Sequence, residues 1–430
     1  MSCPLHSRLH RAIFRPSKTS ALAALAVVSA ASAQTSGLTI GGYIDRGYVV
    51  TNNTNNLKDA KSVSSNAGTT TVLITGTEDL GGGLSAGFSV NSDWSEAGGQ
   101  SQDGTAPTSA QAAFGNGQSF LDLASKQFGT LRLGNPNSEV LGAVTSVASP
   151  AFSTGVGSAY STAFSIHNGY GTGTTGSNNI FANSTIGSPN SLNGVGGNVG
   201  QRQIRQANTI KYISPAFSGF NVVLATVRKN DTGGSSSTSG SAGSTDVLGV
   251  NEFALNYANG PLAVVYTQTK VEVGANGGLA LANNSTTNGS GLTANSSSTM
   301  SILGASYQVL PTLKLHAGLG RSSSTGIAVV AAAASPGVLG SSGPADTTSY
   351  QVGATYNVTP VITVMAQYAA VNDKSAANID RKMLGLGADY SFSKTTRAYF
   401  RYDNIDYASN QTAFNGSKQT RTAIGVSKSF

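Results

Sequence analysis

Cysteine, charge and long apolar runs are all scarce in this chain. Its one cysteine is Cys3, so no disulfide or thiolate metal site can form beyond the first residues. Of four histidines, only His167 and His316 lie past residue 33. Two histidines are too few for a metal centre. Neither stands in a nucleophile motif, so serine hydrolase chemistry has no visible base and no cofactor is implied. Glycine clusters at 81–83 and 194–200 precede no helical pattern and read as turn and loop, not as phosphate cradles. No basic cluster carries interleaved aromatics, which removes nucleic acid as a partner. Past residue 33 the longest apolar run is Ile327 to Ala334, far short of the roughly 20 residues of a spanning helix. A chain of this kind can enter a membrane only as strands.

The first 33 residues read as an export signal. Arg8, Arg11, Arg15 and Lys18 form a basic region, Ala21 to Ala30 an apolar one, and Ala31-Ser32-Ala33 a small-x-small cleavage site. The mature chain, 34–430, is expected to start at Gln34 as one domain. The full chain has 26 Lys+Arg against 19 Asp+Glu. Removing the four signal bases leaves 22 against 19, a net of +3.

What is present is a recurrence of strand-like segments rich in Val, Leu, Ile, Tyr and Phe among polar Gly/Ser/Asn tracts. Sixteen can be marked: 38–50, 70–79, 84–94, 119–127, 130–135, 208–214, 220–229, 247–257, 262–273, 299–309, 312–321, 349–358, 361–372, 381–392, 396–407 and 420–430. Tight connectors such as Leu80-Gly81-Gly82-Gly83, Ala258-Asn259-Gly260-Pro261, Leu310-Pro311 and Thr359-Pro360 bar strand continuation. They alternate with long polar connections such as 230–246 and 274–298. Short turns on one rim and long loops on the other are the transmembrane β-barrel pattern.

Alternation supports the same architecture. Leu84, Ala86, Phe88 and Val90 make one apolar face, and Ser85, Gly87, Ser89 and Asn91 make the other polar. Aromatics gather near strand ends, among them Tyr212, Phe217, Phe220, Tyr257, Tyr307, Tyr390 and Phe392. Phe430 closes the final alternating segment. Rings at headgroup level form interfacial girdles.

In family order, the chain carries Leu38-Thr39-Ile40-Gly41-Gly42-Tyr43-Ile44-Asp45, then Gly76-Thr77-Glu78-Asp79-Leu80-Gly81-Gly82-Gly83-Leu84 and Phe128-Gly129-Thr130-Leu131-Arg132-Leu133-Gly134. Ile210-Lys211-Tyr212-Ile213-Ser214-Pro215, Tyr257-Ala258-Asn259-Gly260-Pro261-Leu262 and the terminal Phe430 follow. With these motifs it resembles the Gram-negative general porins, especially the trimeric 16-stranded betaproteobacterial type. The resemblance implies an all-β, antiparallel, 16-stranded transmembrane barrel with short periplasmic turns and long extracellular loops. It also implies a homotrimer in outer-membrane lipid and a water-filled channel for small hydrophilic solutes and ions. The third long loop would fold into the pore as a constriction, here roughly Pro136 to Gly200. Relatives usually place acids there, facing wall arginines. In this chain the loop holds one acid, Glu139, and no Lys or Arg.

Strand parity assigns the charges expected inside. Opposite Leu131 and Leu133 stands Arg132; opposite Ile210 and Tyr212 stand Arg205 and Lys211; opposite Ala398, Phe400 and Tyr402 stand Arg397 and Arg401. Arg421 opposes Ile424, Val426 and Phe430, and Asp45, Asp93 and Asp122 are inward acids by the same rule. The eight expected at the pore wall or constriction are Arg132, Arg205, Lys211, Arg397, Arg401, Arg421, Asp122 and Glu139, with Arg132, Arg205 and Arg397 sharing the constriction. Facing a nearly uncharged loop, the bases would stand unopposed and give a weak anion preference or little selectivity. They could equally be ordinary solvated residues paired with nearby acids. A substrate-specific channel for sugars or organic acids fits the same strands, as does, less well, a secreted β-rich adhesin. Saturable conductance would mark the first, and a fixed repeat period, which the strand spacing lacks, the second.

Overall fold

In β15, Arg381, Met383, Gly385, Gly387 and Asp389 are buried, while Leu384, Leu386 and Tyr390 between them are exposed. This inversion, apolar side chains outside and polar ones inside, holds the architecture together. The structure is a computed structural model. It describes residues 36–53, 58–64, 66–93, 115, 117–152, 155–159, 208–228, 248–273, 290–329, 346–374, 380–407 and 418–430. The signal segment, Arg205, His167 and most of the long connections lie outside those residues.

The described strands are β1 (Ser36–Asn53), β2 (Lys58–Ser64), β3 (Thr71–Gly81), β4 (Leu84–Asp93), β5 (Ser119–Ser125), β6 (Gly129–Asn135), β7 (Thr209–Ile213), β8 (Phe220–Val227) and β9 (Leu248–Asn259). They continue as β10 (Leu262–Val273), β11 (Ser290–Leu310), β12 (Leu313–Val329), β13 (Asp346–Asn357), β14 (Ile362–Asp373), β15 (Arg381–Ser391), β16 (Thr396–Tyr407) and β17 (Lys418–Ser429). From β3 onward each strand pairs antiparallel with the next, and β1 pairs with β17, from Tyr43↔Ser429 to Asn53↔Gln419. The sheet is therefore a closed cylinder with no free edge, as a membrane requires.

Seventeen segments occupy sixteen places in the wall. One edge of β1 meets β3 along residues 36–43 and then β2 along residues 46–52. β2 and β3 are two lengths of one wall position, parted where 66–70 leaves the sheet. The sequence left residues 51–69 in the first connection, because they are polar and lack clear alternation, and began the next strand at Thr70. β11 and β12 likewise run farther than the alternation suggested, to Ser290 and Val329. Their extensions are Ser/Thr/Asn-rich, and both faces of such lengths can be wet.

Outside, β15 presents Leu384, Leu386, Ala388 and Tyr390 below Lys382, and β17 presents Ile424 and Val426 between Thr422 and Lys428. This apolar belt is the lipid-facing band; a Lys or Arg at its midplane would cost about 2–4 kcal/mol. At its margins Lys270 pairs with Glu272 at 2.5 Å and Lys418 with Asp406 at 3.5 Å, whereas Arg46, between Ile44 and Tyr48 and opposite Val426, has outward parity within the belt. The β3–β4 turn closes on Gly81, Gly82 and Gly83, with φ of +81°, +62° and +81°. Only glycine takes three such values in a row without strain.

Candidate functional site: the inward segment and the inner wall

After β6 the chain does not return over the rim but enters the cylinder. Ser138 caps a single helical turn, α1 (Glu139–Gly142), its hydroxyl accepting from the Leu141 amide at 3.1 Å. A π-helical turn, Ala143–Ala148, follows. The sequence showed no helix here because the stretch is too short for a 3.6-residue period to register. Its apolar side, Val140, Val144 and Ala148, is fully buried against Val265, Met300, Ile302, Ala369, Val371, Met383 and Ile405 of the inner wall. Burying each such Val, Ile or Met side chain contributes about 1.5–3 kcal/mol. The interior is therefore not polar throughout: under residues 140–148 the wall is apolar.

Polar contacts fix the rest of its path. The Asn137 amide donates to Gln118 Oε1 at 2.8 Å, and Lys211 Nζ donates to the Asn137 carbonyl at 2.6 Å. Farther on, the Ala148 carbonyl lies 3.1 Å from His316 Nδ1, which also sits 2.9 Å from the Gln351 amide nitrogen. Ser149 Oγ donates to Gln367 Oε1 at 2.8 Å, and Gln367 Nε2 donates to the Gly157 carbonyl. The Gly157 amide ends the run on Asp403 Oδ2 at 2.7 Å. Gly385 lets it lie flat, since a Cβ there would stand 2.8 Å from the Gly157 carbonyl oxygen. The segment thus follows the wall from β7 to β16.

There it meets the part of the chain that leaves the sheet between β2 and β3. Val156 packs with Ala67, Val49, Tyr399 and Ala423. Asp45, fully buried, organises this corner: it accepts from the Tyr399 hydroxyl at 2.6 Å and from the Ala67 and Gly68 amides. Tyr399 reaches Asp45 by passing over Gly425 of β17 and Gly47 of β1, where a Cβ would come within 2.2 and 2.4 Å of its hydroxyl.

The inner wall of β3 to β6 is left uncovered by the described residues. By register it presents Thr75, Thr77, Ser85, Gly87, Ser89, Asn91, Asp122 and Arg132. Among the expected site residues, Arg132 binds Asp122 directly across the strand pair through two contacts of 2.8 Å, and its guanidinium stacks 3.7 Å from the Phe120 ring centroid. Both side chains remain partly open, at 23% and 20% exposure. Lys211 joins Glu139 at 2.9 Å and lies 3.9 Å from Glu252. Arg421 pairs with Asp403 on the opposite rung.

Arg397 and Arg401 divide one carboxylate. Arg401 takes Asp389 Oδ1 at 2.6 Å, and Arg397 takes Oδ2 at 3.0 Å. Arg397 also donates to Ser427 Oγ at 3.0 Å and the Tyr43 hydroxyl at 2.9 Å. Its side chain is 35% exposed, against 3% for Arg401.

The expectation of unopposed bases does not hold for these five, since each has an acid partner, four of them on the wall itself. Arg132 and Arg397 share no partner, and Arg205 is outside the described residues. Asp389 and Glu252 were missed, although both have inward parity: Asp389 alternates with Ala388 and Tyr390, and Glu252 with Phe253.

A closed cylinder, apolar without, containing an inward segment beside a polar wall, defines a transmembrane channel. The Gram-negative porin family model matches residues 20–410, and the chain belongs to that family. Among solved structures it is similar to the anion-selective porin from Comamonas acidovorans, with 22% identity, coverage of 92% of this chain and 100% of that one, and a TM-score of 0.66. The trimer form of in-vitro folded OmpT of Vibrio cholerae matches at 12% identity, 92% and 99% coverage and a TM-score of 0.56. OmpF of Salmonella typhi in complex with daunomycin matches at 14%, 91% and 97% coverage and 0.55. No curated protein sequence matches the chain. Family and fold are those of an outer-membrane β-barrel that passes solutes by passive diffusion.

Proposed function

We propose that this chain works as a homotrimeric general diffusion pore for ions and small hydrophilic solutes, made with a leader of residues 1–33 that is removed on export. The observation that carries the reading is the segment 136–152 with 155–159, seated inside the cylinder. Passage is then confined to the side of β3 to β6, whose inward hydroxyl and amide groups suit hydrated solutes. Arg132, Lys211, Arg397, Arg401, Arg421, Asp122 and Glu139 serve as the charged lining or anchor the constriction. The trimer form of one solved relative supports the assembly.

Planar-bilayer recording on the purified protein tests the reading. Conductance should scale with bulk salt, stay ohmic and occur in steps of three. Saturation with one sugar or organic acid would instead mark a substrate-specific channel, and absence of conductance would sink the pore altogether.

A further inference from the structure

Residues 66–70, between β2 and β3, also lie inside the cylinder. Ala67 packs on Val49, Tyr399 and Ala423, which face inward from β1, β16 and β17. On that edge of β1 the ladder stops at Tyr43 and resumes at Arg46. In the gap Thr70 Oγ1 stands in for a strand, accepting from the Asp45 amide at 3.0 Å and donating to its carbonyl at 3.2 Å. The Asp45 carboxylate takes the Ala67 and Gly68 amides on Oδ2 and the Tyr399 hydroxyl on Oδ1. Hydrogen bonds to an ionised acceptor are the strong ones. One buried carboxylate thus ties the departing stretch to the wall.

The far end of the inward segment rests on that stretch. Val156 is buried against Ala67. Gly155, at φ +79°, lies flat on Asn66, where a Cβ would run into the Asn66 carbonyl. Segment 136–159 covers the wall from β7 to β16, and 66–68 carry the cover on across β17 and β1. We propose that the constriction of this channel is built from two stretches of chain that meet at Asn66 and Gly155, and that Asp45 is the positioning residue that holds the meeting point and so sets the open width. The inference rests on the pore reading above. A merely structural Asp45 would stabilise the barrel and leave the conductance of folded molecules unmoved.

A thiol probe combined with single-channel recording separates these. The chain has no cysteine past Cys3, so Ala67→Cys adds one thiol at the meeting point. A water-soluble methanethiosulfonate should modify it slowly while the join is shut. Asp45→Asn and Gly155→Ala should each speed that modification about tenfold, the scale of one lost charge-assisted hydrogen bond or one overpacked methyl. Each should also raise single-channel conductance. Asp45→Asn removes a charge that acts on Arg397 as well. The uncharged Gly155→Ala, which leaves Asp45 and the strand ladder in place, therefore carries the decision, also should Asp45→Asn not fold. Gly76→Ala crowds Phe88 on the outer face instead and should change neither readout. Unmoved conductance in Gly155→Ala overturns the inference even if modification quickens, as does a Gly76→Ala channel that conducts as much more. No conductance in wild type sinks the pore reading, whereas modification still reports on the join.

Discussion

The two halves of the inner wall are built from different amino acids although both face the inside of the same cylinder. From β10 to β16 the inward positions include Val265, Met300, Ile302, Ala369, Val371, Met383 and Ile405; from β3 to β6 they are mostly Thr, Ser, Gly and Asn around one Arg–Asp pair, with Leu73, Phe120 and Ala124 among them. The first half is a seat for a packed segment and the second a surface for water. A barrel interior is therefore not one environment. A buried apolar cluster of inward residues marks where the chain packs on itself, and buried polar residues such as Gln367 and Asp403 mark where it is tied by hydrogen bonds.

Placing a charge in the seat should have the largest effect. Ile302→Lys puts an unpaired ammonium under the π-helical turn, a loss on the order of 3–5 kcal/mol of local stability when such a charge has no partner. The strands should still pair, because Ile302 contributes only its backbone to the ladder. The inward segment should lift, raising single-channel conductance while the barrel keeps its heat-modifiable mobility. Unchanged conductance would show that the apolar seat does not hold the segment. Gly425→Ala should matter less: the new methyl displaces Tyr399 from Asp45, an overpacking cost of about 1–3 kcal/mol, read as a lower melting temperature in detergent. The smallest effect belongs to the open half. At Gly87 a Cβ would find neighbours only at 3.4–4.0 Å, so Gly87→Ala should stay within about 0.5 kcal/mol. A thermal loss there equal to that of Gly425→Ala would erase the contrast.

Face assignment was legible in the sequence because parity is local: Arg397 between Thr396 and Ala398 points opposite to its neighbours whatever the strand pairs with. The rung was not. Nothing in the residues near Arg132 says that Asp122 stands directly opposite, or that Arg421 meets Asp403, because that offset is set by turn length and by bulges such as the one between Asp79 and Gly81. Reading the bases without their rungs left them unopposed; adding the register pairs them. The apolar seat was visible too, in Met300-Ser301-Ile302 and Met383, but on a barrel strand an apolar residue of inward parity reads as an irregularity until the covering segment is known. The departure at 66–70 left no signal beyond polarity, since its cause, the buried carboxylate of Asp45, lies on another strand.

The seam between β1 and β17 joins Tyr43 to Ser429 and Gly42 to Phe430, partners separated by nearly the whole described chain. Contacts between such remote partners carry a larger loop-closure entropy than those between neighbouring hairpin strands, and the seam is expected to close after them. Until then both edges are open to pairing with a stranger. Tyr399 and Arg397, which reach over β17 to Asp45 and Tyr43, can engage only once the last strand lies in its proper offset. They act as a check on assembly: a final strand slipped by one place would leave Asp45 buried without its hydroxyl, and the misjoined cylinder would be the less stable one.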